Sequence, residues 1–260
     1  MPLPSGRFRV TAALLAALLV LFVAGPLLRL LLAASPASLA AAATDAELRA
    51  SIGLTLLTAT GATLLALLVG APLAWLLARH RFRGRALVQA LVELPAVVPH
   101  PVAGIALLLF LGRRSAVGGA LAEAGLEIVG HPAGIVAAML FVSVPILVSG
   151  AQESFAAVDP RLERVARSLG DSPSRAFRRV TLPLAGRGLL AAALLAWARS
   201  VSEFGAIVVL TYRPPVASVL IYDRFTTDGL AGAVPAAVVL LGLALLVLVA
   251  LRVVQRGPRA

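Results

Sequence analysis

Two charged residues stand where charge is costly. Arg199 and Glu203 fall inside an apolar stretch, residues 188–210, that is long enough to cross a bilayer. A charge at the bilayer centre costs about 2.5–3.5 kcal/mol even by insertion scales, so such residues face protein or water. Their i, i+4 spacing puts both on one helix face, where they can pair. Two readings follow. Either the pair fixes helix packing, or Arg199 lies on a path through the membrane, with Ser202 and Glu203 beside it. On such a path the guanidinium fork can bond an anion, and Glu203 keeps that anion from being held too tightly.

A second constellation is His100, bracketed by Pro95, Pro99 and Pro101. Each proline removes a backbone donor and crowds the preceding turn, so an unbroken helix is not expected here. Irregular backbone at membrane depth is tolerated where it is buried in protein or lines a cavity. Pro99 and His100 are therefore candidates for a gate facing the centre, or for a static kink filled by neighbouring helices. His100 stands alone, and no proton coupling is assigned to it.

Other chemistries fall away. All 23 basic residues are Arg, so a phosphate-binding loop lacks its lysine. There is no cysteine for a disulfide, a thiol nucleophile or a thiolate-held metal. His80, His100 and His131 form no pair at metal-ligand spacing. Ser149 has no oriented base, His100 being the one candidate within a span. No catalytic centre is visible, and no cofactor is expected to be bound by this chain.

The elements that must position these residues are helices in a bilayer. The chain is 60% apolar and 13% charged, outside the range of a soluble domain of its length. Six stretches, residues 8–32, 48–78, 86–111, 133–152, 188–210 and 232–254, reach the roughly 20 residues that a helix needs to cross. Ala, Leu and Val dominate all six without the alternation of a barrel strand. The expected fold is all-α, a polytopic membrane protein with six transmembrane helices in one domain, residues 1–260. A secretory signal is the alternative for the first stretch, with Arg7 and Arg9 as its basic region and residues 33–43 as a cleavage site. The apolar run exceeds the about 7–15 residues of a signal core, which favours a retained helix.

Orientation follows from the arginines. Placing both termini in the cytosol puts 16 there: Arg7 and Arg9, four in residues 79–85, seven in residues 161–187, and Arg252, Arg256 and Arg259. Six fall on the other side, mixed with acids, and Arg199 falls within a span. The net charge of +11 is thus a topology signal on short loops and no footprint for nucleic acid.

The longest cytosolic loop, residues 153–187, carries its own structure. Asp159-Pro160 is a helix start, and Gly170 is a stop. Asp171, Ser172 and Pro173 restart a second short helix, which Leu182-Pro183 is expected to end. On the first helix Leu162, Val165, Ala166 and Leu169 make one apolar stripe. A helix of about ten residues is marginal alone in water, so something covers that stripe. The cover is either the chain's own helix ends or a groove in another protein.

The loop resembles that of the permease subunits of ABC importers. Their pattern is Glu-Ala-Ala, three residues, Gly, nine residues, Ile, one residue, Leu-Pro; here Arg164-Val165-Ala166, Gly170, Val180 and Leu182-Pro183 stand at those spacings. The departure is Arg164, where the family has Glu, with Glu163 adjacent. The resemblance implies a type I permease fold in the cell membrane, with the loop as a coupling helix seated in a cleft of a separate ATPase subunit. It implies docking through Glu163, Arg164, Val165, Ala166, Leu169, Gly170, Asp171, Pro173, Phe177, Leu182 and Pro183. It also implies an extracytoplasmic substrate-binding protein and a second copy of the chain as partners.

Further stretches narrow the resemblance. Residues 197–206, with Ala198-Arg199-Ser200 before Glu203-Phe204-Gly205-Ala206, resemble molybdate, tungstate and sulfate permeases. Residues 94–104 and 218–225 are more similar to the molybdate/tungstate branch. An ion-coupled secondary carrier is the competing reading, but it would normally show an internal repeat and membrane-embedded acids, and Glu203 is the one deeply placed acid. A membrane enzyme lacks a catalytic constellation. The favoured reading is a permease that passes an oxyanion by alternating access while a partner hydrolyses ATP.

Overall fold

The computed structural model describes residues 6–256, and all the regular secondary structure among them is helical. Arg259 and the extreme ends, whose cytosolic placement the arginine bias predicts, lie outside the described residues. In chain order the helices are α1 (Gly6–Ala33), α2 (Pro36–Thr44), α3 (Ala46–Arg79), α4 (Arg85–Glu93), α5 (His100–Leu111), α6 (Ala116–Glu123) and α7 (Pro132–Ala156). They continue as α8 (Pro160–Ser168), α9 (Pro173–Ala176), α10 (Leu182–Val201), α11 (Gly205–Leu210) and α12 (Ala217–Arg256). Among the described residues five helical stretches are long and apolar enough to cross a membrane. A sixth, broken span is made if α4 and α5 are counted together across their 114° bend.

Local chemistry sets the boundaries. Asp45 caps α3 by accepting the Leu48 N–H at 3.0 Å. Ser35 and Ser115 cap α2 and α6 in the same way. Pro132 opens α7 at a position where no backbone donor is needed. The third span breaks where its prolines predict, through a 3₁₀ turn at Leu94–Ala96 and an extended Pro99 before α5.

The core is α3, α7 and α10 packed through small residues. Ala62, Ala66, Ala74, Ala138, Ala151 and Ala196 are fully buried. A Cβ added at Gly150 would lie 2.8 Å from the Ala192 Cβ, and one at Gly188 would lie 2.2 Å from the Ser154 Oγ. With lipid as apolar as the side chains, such close backbone approach and its dispersion contacts drive association. Polar ties add direction. Thr55 donates to the Ser51 carbonyl at 2.6 Å and accepts the Ala217 N–H at 2.9 Å, fastening α3 to the start of α12. By contrast, the apolar window of α1 is entirely unburied within the chain.

Three expectations are corrected. Leu182-Pro183 does not end the second loop helix: Pro173–Val201 runs on as one 29-residue helical stretch. A π-turn at Phe177–Thr181, with the Leu182 N–H reaching the Phe177 carbonyl, absorbs one residue. Pro183 then falls at the start of α10, where its missing N–H costs little. The fifth span does not run unbroken over 188–210, because α10 stops at Val201 and Glu203 holds a turn before α11. Finally, the last helix begins at Ala217, well ahead of residue 232, and kinks at Gly229, whose φ of 67° suits glycine.

Candidate translocation site and coupling loop

The breaks in the third and fifth spans meet. Gly205 opens α11 so close to α5 that an added Cβ would lie 2.7 Å from the His100 Cβ. Gly104 is pressed equally hard, with the Ala206 carbonyl 2.8 Å from where its Cβ would be. Glycine at both positions therefore lets two half-helices start side by side.

Glu203 organises the turn and is 1% exposed. Its Oε1 accepts the Ala206 N–H at 2.7 Å, capping α11, and its Oε2 accepts from Arg199 Nη2 at 2.7 Å. Its backbone carbonyl accepts from the Ser218 hydroxyl at 2.7 Å, which ties the turn to α12. The buried carboxylate thus has both a charge partner and a backbone donor, the condition for keeping an ion in a low-dielectric setting. The expected Arg199–Glu203 pair is present, though Glu203 lies past the end of α10.

Arg199 has two further neighbours. Nη2 donates to His100 Nε2, a contact that requires an unprotonated acceptor nitrogen on the imidazole. Nη1 donates to Ser202 Oγ at 3.4 Å, and that hydroxyl donates back to the Arg199 carbonyl at 3.0 Å. The Arg199 side chain is 21% exposed, while His100, Ser202 and Pro99 are all exposed. One face of the guanidinium is anchored by an acid and an imidazole, and part of the group stays open to whatever fills the space beside the chain. The structure therefore brings Arg199, Ser202, Glu203, Pro99 and His100 together. Sequence reasoning missed the Arg199–His100 contact and the bond from Trp197 Nε1 to Thr60 at 3.1 Å, because neither spacing reveals which spans are neighbours.

In the loop, the Asp159 carboxylate caps α8 by accepting the Arg161 N–H at 2.8 Å. Gly170, at φ 98°, lets the Asp171 N–H turn back to the Ala166 carbonyl at 3.1 Å, the helix stop that its sequence predicts. The Asp171 carboxylate then holds Arg175 at 3.6 Å and Arg179 at 3.5 Å. Of the apolar stripe, Ala166 is half-buried, but Leu162, Val165 and Leu169 are 46%, 57% and 83% exposed. The chain's own helix ends leave this stripe bare. Arg164 points to solvent and makes no salt bridge among the described residues.

Glu163 turns the other way. Its carboxylate accepts from the Thr181 hydroxyl in the π-turn and lies 3.9 Å from Arg79 Nη2 at the end of α3. Phe177 packs edge-on to Trp75 at 5.7 Å and against Phe155 at 6.1 Å. Leu182 and Pro183 sit exposed at the head of α10, and Pro173 is exposed at the head of α9.

Residues 70–259 match the family described as the binding-protein-dependent transport system inner membrane component. The chain is 43% identical over 197 residues to the molybdate/tungstate transport system permease protein WtpB of Pyrococcus abyssi, spanning 76% of this chain and 74% of that one. It is 32% identical over 205 residues to a probable sulfate transport system permease protein of Chlorokybus atmophyticus, spanning 77% and 72%. In three dimensions it is similar to the bacterial alginate ABC transporter crystallised with a pentasaccharide-bound periplasmic protein. That match has a TM-score of 0.75 at 18% identity and covers 96% of this chain and 94% of that one. The fold is that of ABC importer permeases, and the chain belongs to the family of binding-protein-dependent transport system inner membrane components.

Proposed function

We propose that this chain is the membrane-spanning subunit of an ATP-driven importer of a tetrahedral oxyanion, molybdate or tungstate. The observation that carries the reading is Arg199, anchored by Glu203 and His100 at the junction of two broken spans and left partly open. A guanidinium offers donors in a planar fork that suits an oxyanion, and its carboxylate neighbour keeps the net field weak enough for release. The likeness to a relative named for molybdate and tungstate supports this substrate class more strongly than the lower identity to a sulfate relative supports sulfate.

The rest of the machine is read from the loop and the charges. The bare face of Leu162, Val165 and Leu169, with Arg164 beside it, seats in a cleft of a separate ATPase subunit that performs all the hydrolysis. The arginine bias puts that loop and both termini in the cytosol. An extracytoplasmic binding protein delivers the anion at the opposite face, and two copies of the chain enclose the path. Closure of the ATPase pair draws the loops together and alternates access. The test is co-purification with the ATPase, followed by ATPase stimulation by the binding protein loaded separately with molybdate, tungstate or sulfate. Stimulation by the first two above sulfate is expected, and stimulation by none removes the substrate assignment.

A further inference from the structure

Glu163 occupies a different place from the residues that present the bare stripe. Its side chain is 24% exposed and is directed into the chain. Three separate elements converge on it: α8, which carries it; the π-turn, through the fully buried Thr181; and the end of α3, through Arg79, whose side chain is 11% exposed. At 3.9 Å the ion pair is close enough for strong attraction but too long for a hydrogen bond. Arg79 Nε and Nη2 are buried and have no hydrogen-bond acceptor among the described residues. Buried donors of a guanidinium are costly to leave unmet, so a shorter approach of the Glu163 carboxylate to Arg79 would be favourable. π-turns inside helices recur at functional positions.

Resting on the permease reading above, we propose that Glu163 is a positioning residue, a clasp that makes α3 and α10 follow α8 when the partner ATPase moves it. Glu163 therefore does not supply the acid missing at Arg164 in the ATPase cleft. It holds the coupling helix to the transmembrane body, with Arg79 as the charged half of the clasp and Thr181 as its hydrogen-bonded half. Loss of the clasp leaves docking intact and disconnects it from transport.

The experiment uses the full complex with its ATPase in lipid vesicles. Glu163→Gln keeps an acceptor for Thr181 and removes the charge facing Arg79. The number of anions imported per ATP hydrolysed is expected to fall by about two- to thirty-fold, the span of measured coupling perturbations. The ATPase stays bound at the wild-type ratio. Exchanging the charges, with Glu163→Arg and Arg79→Glu together, is expected to recover at least half of the loss. A second readout is independent of the anion. The chain has no cysteine, so Arg161→Cys and Leu76→Cys place one pair of distance probes, on α8 and α3, in each copy of the chain, and mixing with unlabelled copies isolates the pair within one copy. Adding ATP is expected to leave their separation constant in the wild type and to widen it by several ångströms in Glu163→Gln. Thr181→Val, which spares the ion pair, is expected to shift both readouts less and in the same direction, and it serves if Glu163→Gln fails to fold.

Equal separations in wild type and variants overturn the clasp. Release of the ATPase by a folded Glu163→Gln complex also overturns it, making Glu163 a docking contact instead. A wild-type complex that no oxyanion stimulates overturns the substrate reading alone, and the distance probes still decide the clasp.

Discussion

The guanidinium of Arg199 and the imidazole of His100, 99 residues apart in sequence, are joined by a direct hydrogen bond between the fifth and third spans. The same Arg199 nitrogen bonds the buried carboxylate of Glu203 at 2.7 Å. Removing either partner is therefore expected to act differently. Glu203→Ala strips the partly open Arg199 guanidinium of its counter-charge and α11 of its cap, a loss of about 1–3 kcal/mol that thermal unfolding would register. Arg199→Ala leaves the buried Glu203 carboxylate without its charge partner, at a cost of about 3–5 kcal/mol, and in the fraction that folds, inserts and binds the ATPase transport is expected to fall at least ten-fold. Normal transport by that variant removes Arg199 from the path and leaves it as a packing residue.

Arg164 makes no ion pair among the described residues and stands on a surface crowded with Arg161 and Arg167. Arg164→Glu places an acid one turn from each of these arginines, worth about 0.2–0.5 kcal/mol per pair on a helix, and restores the residue type usual in this position of the coupling loop. ATPase binding is expected to hold or strengthen in a pull-down. Abolished binding means that the loop has been placed in its socket in the wrong orientation.

Leu169 is 83% exposed at the end of the α8 stripe, beside Val165 at 57%. Burying such a side chain in a partner's pocket is worth about 1.5–3 kcal/mol. Leu169→Asp is expected to weaken ATPase affinity by at least ten-fold without altering the thermal stability of the isolated chain. Unchanged affinity would falsify the socket.

Gly188 faces Ser154 with no room for a methyl group, since the added Cβ would lie 2.2 Å from the hydroxyl oxygen. Gly188→Val is expected to separate α10 from α7 at a cost of about 1–3 kcal/mol, the range for overpacked cores. Gly186 in the same helix has nothing within 4 Å of its Cβ direction, so Gly186→Ala is the matched control and should be neutral or slightly stabilising.

The Asp45 carboxyl sits below its ordinary value of 3.8, chiefly because it accepts the Leu48 N–H, with the Arg224 guanidinium assisting against partial desolvation. A carboxylate whose folded pKa is depressed contributes stability above its unfolded pKa, and that contribution disappears as pH falls through the folded value. Unfolding temperatures followed downward from about pH 5 should therefore drop more steeply for the wild type than for Asp45→Asn. Parallel curves would remove Asp45 as an acid-sensitive contact.

Much of this arrangement is written locally. Asp159, Gly170 and the Pro95–Pro99–Pro101 group act within a few residues of themselves, so their caps, stop and break are legible in the chain. The pairing of Arg199 with Glu203 is legible for the same reason. The stop expected at Pro183 is not, because a π-turn several residues upstream decides whether a proline there interrupts a helix or begins the next segment. The break at Ser202 is equally hidden, since it is held by Glu203 reaching forward to the Ala206 N–H, and no proline or glycine precedes it. His100 beside Arg199, and Glu163 beside Arg79, depend on which helices are neighbours in space. Periodicity carries no such information.

The unbroken run from Pro173 to Val201 has a mechanical meaning. A further loop between α9 and the membrane would act as slack, absorbing a displacement before it reached Arg199. Here α10 alone spans about 30 Å at a helical rise of about 1.5 Å per residue, and its last turn carries Arg199. On the proposed function, movement imposed at the head of that rod would reach the Arg199 guanidinium as rotation and translation of one stiff body, and the power stroke would stay in phase with the hold on the anion.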